Sequence, residues 1–143
     1  MMTQETIKQL TAGNYSFSFL NSGDIYEVTY QSIMINQLMS NPIDGSLNNI
    51  YLRVHHSGGI SAYPLLGVNS KSAVAFTEKH VTWTGNVAGI NYQVNFYLTD
   101  LGVWFWEVNV EGEGKEIDII YGQDVGLADK GAIRNNEAYV SQY

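Results

Sequence analysis

The chain has 143 residues, of which 45% are hydrophobic and only 15% are charged, a composition that can build a core and is unlike that of a disordered chain. Seven lysines and arginines stand against 14 aspartates and glutamates, and this net charge of −7 argues against nucleic-acid binding, which needs a basic face. The absence of cysteine excludes disulfide bonds, thiolate zinc ligands and a cysteine nucleophile.

The N-terminal residues give weak structural signals. They have neither the basic start nor the apolar run of roughly 7–15 residues that marks a signal peptide. No segment of the chain approaches the ~20 apolar residues of a membrane helix, so we expect a soluble, cytoplasmic protein with no membrane partner. Residues 3–11 predict one short helical turn with Thr3 as its cap, within an N-terminal extension over residues 1–13.

Most of the chain shows period-two alternation of apolar and polar side chains, which is typical of β-strands. The aromatic content of 13% favours the same structure. The segment Ile33–Met39 is apolar without strict alternation and predicts an irregular strand or a buried loop. The alternating segments predict strands near residues 15–19, 26–30, 50–55, 81–83, 91–98, 104–110 and 117–121.

The last four predicted strands are joined by short connections that contain glycine. Such connections cannot cross over to form parallel pairs, so residues 79–84, 90–98, 103–111 and 115–121 are expected to form an antiparallel meander. Strands with one apolar and one polar face are typical of a sandwich or an open barrel. We therefore predict an all-β antiparallel sandwich with little helix, as a single domain or a fragment of one over residues 1–143.

Residues 122–137 form an irregular polar loop in which ionisable side chains lie among glycines. Asp124, Asp129 and Arg134 either pair with each other, pack against another domain, or contact a substrate. The loop composition favours a structural or interface role by about two to one, and we expect the loop to be ordered only when another domain meets its charges. The strand-like alternation at residues 139–143 indicates a fragment of a longer polypeptide.

The three histidines do not predict a metal site. His55 and His56 are adjacent on a predicted strand, so their side chains point to opposite faces and cannot easily chelate one ion. His80 stands alone in the sequence. We expect surface or hydrogen-bonded histidines, with no metal and no cofactor.

Acidic residues do not predict a catalytic site either. Glu111, Glu113 and Glu116 flank a glycine-rich turn, which is better explained as a solvated hairpin tip than as acid–base machinery. The chain contains no recognisable nucleophile, phosphate-binding or metalloprotease motif.

The Trp104–Trp106 segment places two tryptophans on the same strand face as Val108 and Val110. A face that stays apolar over four positions is usually core, by about three to one over a sugar-stacking surface. Phe105 lies on the opposite face and is expected to meet a partner or a second layer.

Several blocks of the sequence together resemble the N-terminal region of the glycoside hydrolase family 94 phosphorylases. They are most similar to the 1,2-β-oligoglucan phosphorylase branch and less similar to cellobiose phosphorylase. The resemblance covers residues from about 16 to the end, and the stretches 32–53 and 121–143 are its specific parts. The blocks are SIMINQ, NPIDG, LNNIYLR, YPLLG, GVWFW, YGQDVG and ADKGAIRNNEAY, followed by SQY.

This resemblance implies a galactose-mutarotase-like β-supersandwich, here a partial one, followed in the parent enzyme by a helical linker, an (α/α)6-barrel and a small C-terminal β-domain. In that family inorganic phosphate attacks the anomeric carbon with inversion, and one carboxylic acid of the barrel protonates the leaving oxygen. The resemblance therefore implies no catalytic residue in this chain, which we expect to be inactive alone.

We accordingly expect a non-catalytic part of an inverting β-glucan phosphorylase that supports the barrel, the dimer and the rim of the cleft. The expected partners are the barrel, a second copy and an oligosaccharide. Two alternatives stay open, a stand-alone carbohydrate-binding module and an assembly domain without ligand. The residues predicted to contact another domain or the substrate rim are Asp124, Asp129, Arg134, Asn136, Glu137 and Phe105.

Overall fold

The structure is a computed structural model that describes residues 7–129 and 131. The described residues form twelve β-strands, all paired antiparallel, which confirms the prediction of an all-β sandwich. The strands are β1 Ile7–Ala12, β2 Tyr15–Leu20, β3 Ile25–Tyr30, β4 Ile33–Met34, β5 Asn49–His56, β6 Gly59–Pro64, β7 Ala73–Phe76, β8 His80–Val87, β9 Ile90–Leu98, β10 Trp104–Glu111, β11 Glu116–Gly122 and β12 Ala128–Asp129. Within this part of the chain, no helix is long and apolar enough to cross a membrane.

The strands belong to three sheets that share one hydrophobic core. Their orders are β1-β2-β3-β4-β12, β10-β9-β8-β7 and β11-β5-β6. Phe17 and Phe19 of the first sheet pack against Phe96 and Trp83 of the second, with ring centroids 4.6 Å and 6.0 Å apart. Leu52 of the third sheet is buried in the same cluster. The aromatic residues that predicted β-structure thus fill the core between the sheets.

The predicted four-strand meander is correct for three of its strands. β8, β9 and β10 are consecutive neighbours, but β11 pairs with β5 in the three-stranded sheet instead of with β10. A short connection excludes a parallel crossover, yet it leaves open which sheet the next strand joins. In this position Ile117 and Ile119 lie opposite the buried Val54 and Leu52, so apolar contact favours the three-stranded sheet.

The predicted helical turn over residues 3–11 is wrong within the described residues. Residues 7–12 of the expected N-terminal extension form β1, which pairs with β2 along its whole length. Leu10 and Ala12 are buried in the core, and Leu10 lies opposite Phe17. Pairing with β2 and burial on its surface outweigh the weak local helix signal.

The segment Ile33–Met39 combines both structures that its sequence suggested. Its first two residues form the short strand β4, which lies between β3 and β12, and the rest is loop. Asn36 in that loop is fully buried, and so is Met34. This loop leads into the part of the molecule where the predicted site residues of the C-terminal segment lie.

Candidate functional site

Asp124 connects the C-terminal segment to the loop that follows β4. Its Oδ2 accepts hydrogen bonds from the backbone N–H groups of Gln37 at 2.8 Å and Leu38 at 2.7 Å. Its own N–H donates to Oδ1 of Asn48 at 2.7 Å. The carboxylate therefore hydrogen-bonds together two loops that are more than eighty residues apart in the sequence, and we call such a contact a polar joint.

The segment around Asp124 is held at further points. The N–H of Gly126 donates to the carbonyl of Ile35 at 2.7 Å, and β12 pairs with β4 through Ala128 and Met34. A Cβ at Gly126 would lie 3.0 Å from Cα of Gln37, so any larger residue would be crowded at this close approach. We call residues 35–48 and 122–128 together the loop end.

Asn36 organises the interior of the loop end. Its Oδ1 accepts from the N–H of Val28 at 2.8 Å, and its Nδ2 donates to the carbonyls of Leu38 at 2.8 Å and Tyr26 at 3.3 Å. The side chain thereby satisfies backbone groups of β3 where no neighbouring strand reaches them. The sequence analysis did not single out Asn36, since a lone asparagine in an apolar run gives no signal of such a role.

Asp24 has a similar role next to the loop end. It is 1% exposed, its Oδ1 accepts from the N–H of Ser46 at 3.1 Å, and its Oδ2 accepts from the N–H of Val68 at 2.8 Å. The hydroxyl of Ser22 donates to the same Oδ2 at 2.7 Å. The local sequence gives no signal that Asp24 joins three loops.

The loop end exposes an unusual number of large apolar side chains. The exposed fractions are 84% for Ile43, 63% for Leu47, 45% for Leu38, 54% for Val125 and 64% for Leu127. Loops of an isolated domain are usually polar at the surface, and concentrated apolar exposure is typical of a protein contact. The polar joints fix the two loops that carry these side chains.

The predicted site residues do not form a single group. Asp124 lies in the loop end, and Asp129 lies in β12, where its Oδ1 accepts from the N–H of Gly131 at 2.9 Å. Phe105 projects from β10, in a different sheet, and is 55% exposed. Arg134, Asn136 and Glu137 lie outside the described residues.

The loop 122–137 was expected to be ordered only in contact with another domain, but Asp124 has hydrogen-bond partners within this chain. The sequence predicted that its charge would need another domain, whereas the structure gives its carboxylate two backbone donors from the same chain. The loop's other predicted anchor, Arg134, is outside the described residues.

A second polar group lies on the outer face of the three-stranded sheet. Arg53 donates to Asp118 through Nε at 2.6 Å and Nη2 at 2.7 Å, and Nε2 of His55 lies 2.9 Å from Oδ2 of the same carboxylate. The hydrogen bond from Arg53, followed by that from His55, holds the pKa of Asp118 well below its usual range. Such a carboxylate stays ionised and is unsuited to donate a proton near neutral pH.

The other histidines are also hydrogen-bonded, as predicted. Nε2 of His56 lies 2.9 Å from Oγ of Ser61, and Nε2 of His80 lies 3.0 Å from Oδ1 of Asn95. Between residues 7 and 129, no three His, Asp or Glu side chains are grouped as metal ligands would be.

Comparison with known proteins agrees with the resemblance seen in the sequence. A family model described as the SOGP N-terminal domain matches residues 18–143. A 1,2-beta-oligoglucan phosphorylase from Listeria innocua serovar 6a is 38% identical over 137 residues, which are 96% of this chain and 12% of that relative. The resemblance to the N-terminal region of such a phosphorylase is thereby confirmed, and the chain belongs to the SOGP N-terminal domain family.

Proposed function

We propose that this chain is the non-catalytic N-terminal β-sandwich of a cytoplasmic, inverting β-glucan phosphorylase, and that its loop end packs on the catalytic barrel of the longer polypeptide. The observation that supports the contact is the loop end itself, where five large apolar side chains are exposed on loops that polar joints hold in place. The relative of known activity, a 1,2-beta-oligoglucan phosphorylase, is about eight times longer than the part this chain matches.

The carboxylates support a role without catalysis. Oδ2 of Asp124 accepts hydrogen bonds from two backbone N–H groups. The buried carboxylate of Asp24 accepts hydrogen bonds from two backbone N–H groups and one hydroxyl. Asp118 is paired with Arg53 and His55. An inverting phosphorylase needs one carboxylic acid of raised pKa in a cleft, because phosphate itself is the nucleophile. These three aspartates serve structure, and the proposal places the acid in the catalytic barrel of the longer polypeptide.

The proposed contact also positions the rim of the active-site cleft and the dimer. A rigid sandwich end that packs on a barrel can hold barrel loops in one conformation, which is the usual way in which a scaffold serves catalysis from a distance. The apolar side chains of the loop end contact the barrel, and the hydrogen bond between Asp124 and Asn48 holds the two loops in a fixed position.

The test is reassembly of the enzyme from two separately expressed parts. The longer polypeptide is divided after residue 143, and release of glucose 1-phosphate from β-1,2-oligoglucan and phosphate is measured for each part and for the mixture. We expect activity in the mixture and none from the 143-residue chain alone. Leu47→Asp and Leu127→Asp should weaken reassembly, because they place charges on exposed apolar positions of the loop end.

Ile60→Asp is the matched control, since Ile60 is 53% exposed on β6, away from the loop end. An undivided polypeptide without phosphorolytic activity would overturn the proposed enzyme. Reassembly that is as sensitive to Ile60→Asp as to Leu47→Asp would overturn the proposed contact surface.

A further inference from the structure

The outer face of the four-stranded sheet has an unusual composition. The outward positions of β8, β9 and β10 lie in four rows across the sheet, and the strand register defines the members of each row. The rows are His80, Tyr97 and Phe105; Thr82, Asn95 and Glu107; Thr84, Gln93 and Asn109; and Asn86, Asn91 and Glu111. Five of these twelve side chains are amides and none is lysine or arginine, whereas solvent-facing strands usually carry charges of both signs.

Hydrogen bonds between the side chains hold the amides of this face in place. Oδ1 of Asn95 accepts from Oγ1 of Thr82 at 3.0 Å, and its Nδ2 donates to Oε1 of Glu107 at 3.1 Å. Nδ2 of Asn109 donates to the same Glu107 oxygen at 3.0 Å. Although it points outward, Asn95 is only 4% exposed, so it is the buried centre of the network.

The first row is aromatic and exposed. The rings of His80 and Tyr97 are stacked, with centroids 4.3 Å apart and planes 10° apart. Phe105 lies opposite Tyr97 on the next strand and is 55% exposed, and Tyr97 is 37% exposed. Two neighbouring aromatic rings at the surface offer apolar faces to a flat, partly apolar ligand.

An open depression of about 440 Å³ lies at the opposite end of β9 and β10, where Tyr92 and Val110 of the inner face also line it. Its lining includes Asn91, Gln93, Asn109 and Glu111. At about 3.3 Å per residue, six residues of β9 separate Tyr97 from Asn91, so the aromatic row and the depression are about 20 Å apart. The face is therefore long enough for a chain ligand that contacts both ends.

We propose that this outer face binds a neutral glucan chain. Amide side chains both donate and accept hydrogen bonds, and a sugar hydroxyl does the same. The apolar C–H face of a pyranose ring fits against the rings of Tyr97 and Phe105, and Gln93, Asn91 and Asn109 contact the hydroxyl groups. The lack of cationic side chains on these strands disfavours an anionic polymer or a phosphate-bearing ligand.

β-1,2-glucan is the first probe because of the proposed function, whereas the proposed site is argued from the composition of the sheet face alone. Binding of linear β-1,2-, β-1,3- and β-1,4-glucan oligosaccharides to the 143-residue chain is measured by calorimetry and by chemical-shift changes. We expect at least one to bind, with shifts confined to β8, β9 and β10. Combined Tyr97→Ala and Phe105→Ala substitution should weaken this binding about tenfold or more.

Gln93→Ala with Asn109→Ala provides a second variant at exposed positions, in case loss of the aromatic row disturbs folding. Ile60→Ala and Gln9→Ala are matched controls, because they remove an exposed apolar side chain and an exposed amide from other sheets. Binding of no neutral glucan, or binding that both variant pairs leave unchanged, would overturn the site. Glucan binding without phosphorolysis by the longer polypeptide would leave this site standing and overturn only the phosphorylase proposal.

Discussion

Arg53 and Asp118 face each other across β5 and β11 and form a two-pronged ion pair, with Nε–Oδ1 at 2.6 Å and Nη2–Oδ2 at 2.7 Å. Among the described strands β11 pairs with β5 alone, so this ion pair links an edge strand to the sheet. Each side chain is about one-third exposed, which lets salt and water weaken the attraction. The geometry nonetheless makes the carboxylate of Asp118 the most strongly perturbed acid described in the chain.

The pair predicts that stability depends on pH through Asp118. Because folding lowers the pKa of this carboxyl, its stabilising contribution is complete above the unfolded-state pKa of about 3.9 and is lost as the pH falls below that value. Asp118→Asn should therefore flatten the decline of the free energy of unfolding between about pH 5 and pH 2. Urea unfolding at a series of pH values measures this slope.

The control for this prediction is Asp100→Asn, which also removes one negative charge. Asp100 pairs with Lys79 at an exposed site, its side chain being 77% accessible. An exposed pair contributes little, so the slope should change less than for Asp118→Asn. Equal flattening by both variants would assign the effect to net charge instead of to the Arg53 pair.

Asp24 predicts a second effect on stability. Its buried carboxylate accepts from two backbone N–H groups and a hydroxyl, and Gly67 packs so closely that any side-chain carbon there would overlap the carboxylate. Asp24→Asn replaces one acceptor oxygen by a donor and leaves a buried N–H group unpaired, which should cost about 1–3 kcal/mol. Chemical unfolding of the variant measures the loss.

Gly67→Ala should destabilise the chain as well, both through this overlap and because Gly67 has a φ of 84°, which disfavours an alanine. Gly13→Ala is its matched control. Gly13 also has a positive φ, of 59°, but nothing lies within 4 Å of an added Cβ. If the two variants lost equal stability, backbone strain alone would account for the effect and contact with Asp24 would not.

The sequence predicted strands well where one face is buried and the other is solvated. β5 and β9 show this alternation, and each was found within one or two residues. β1, β6 and β7 were missed, although the Gly13–Asn14 turn between β1 and β2 is a recognisable hairpin signal. The sheet that β11 joins depends on contacts between distant residues, which periodicity does not encode.

The loop end was predictable only in part. Residues 32–53 and 121–143 are the specific parts of the family resemblance, and the structure shows that the described parts of these two stretches are hydrogen-bonded to each other. The joints themselves depend on single side chains such as Asn36 and Asp124 that bond to backbone groups. A local pattern does not distinguish such residues from ordinary loop residues, because their partners lie far away in the sequence.

β1 predicts that residues 7–12 contribute to the core and not only to a terminal extension. Leu10 is 2% exposed and lies opposite Phe17. Leu10→Ala should lower the free energy of unfolding by about 2–5 kcal/mol because it leaves a cavity in the core. Ile7→Ala removes a side chain that is 48% exposed on the same strand and should cost much less. Equal small losses would show that β1 does not pack on the core.

The joint at Asp124 predicts a local effect that differs from a change in global stability. Asp124→Ala removes the acceptor for the N–H groups of Gln37 and Leu38, so these two amides should exchange with solvent faster. Protection of the β9 amides should change little, since β9 is in the core. Asp124→Asn keeps one oxygen acceptor and should restore part of the protection. Hydrogen exchange followed by NMR resolves these amides separately, and unchanged exchange at Gln37 and Leu38 in Asp124→Ala would show that the carboxylate does not hold the loop end.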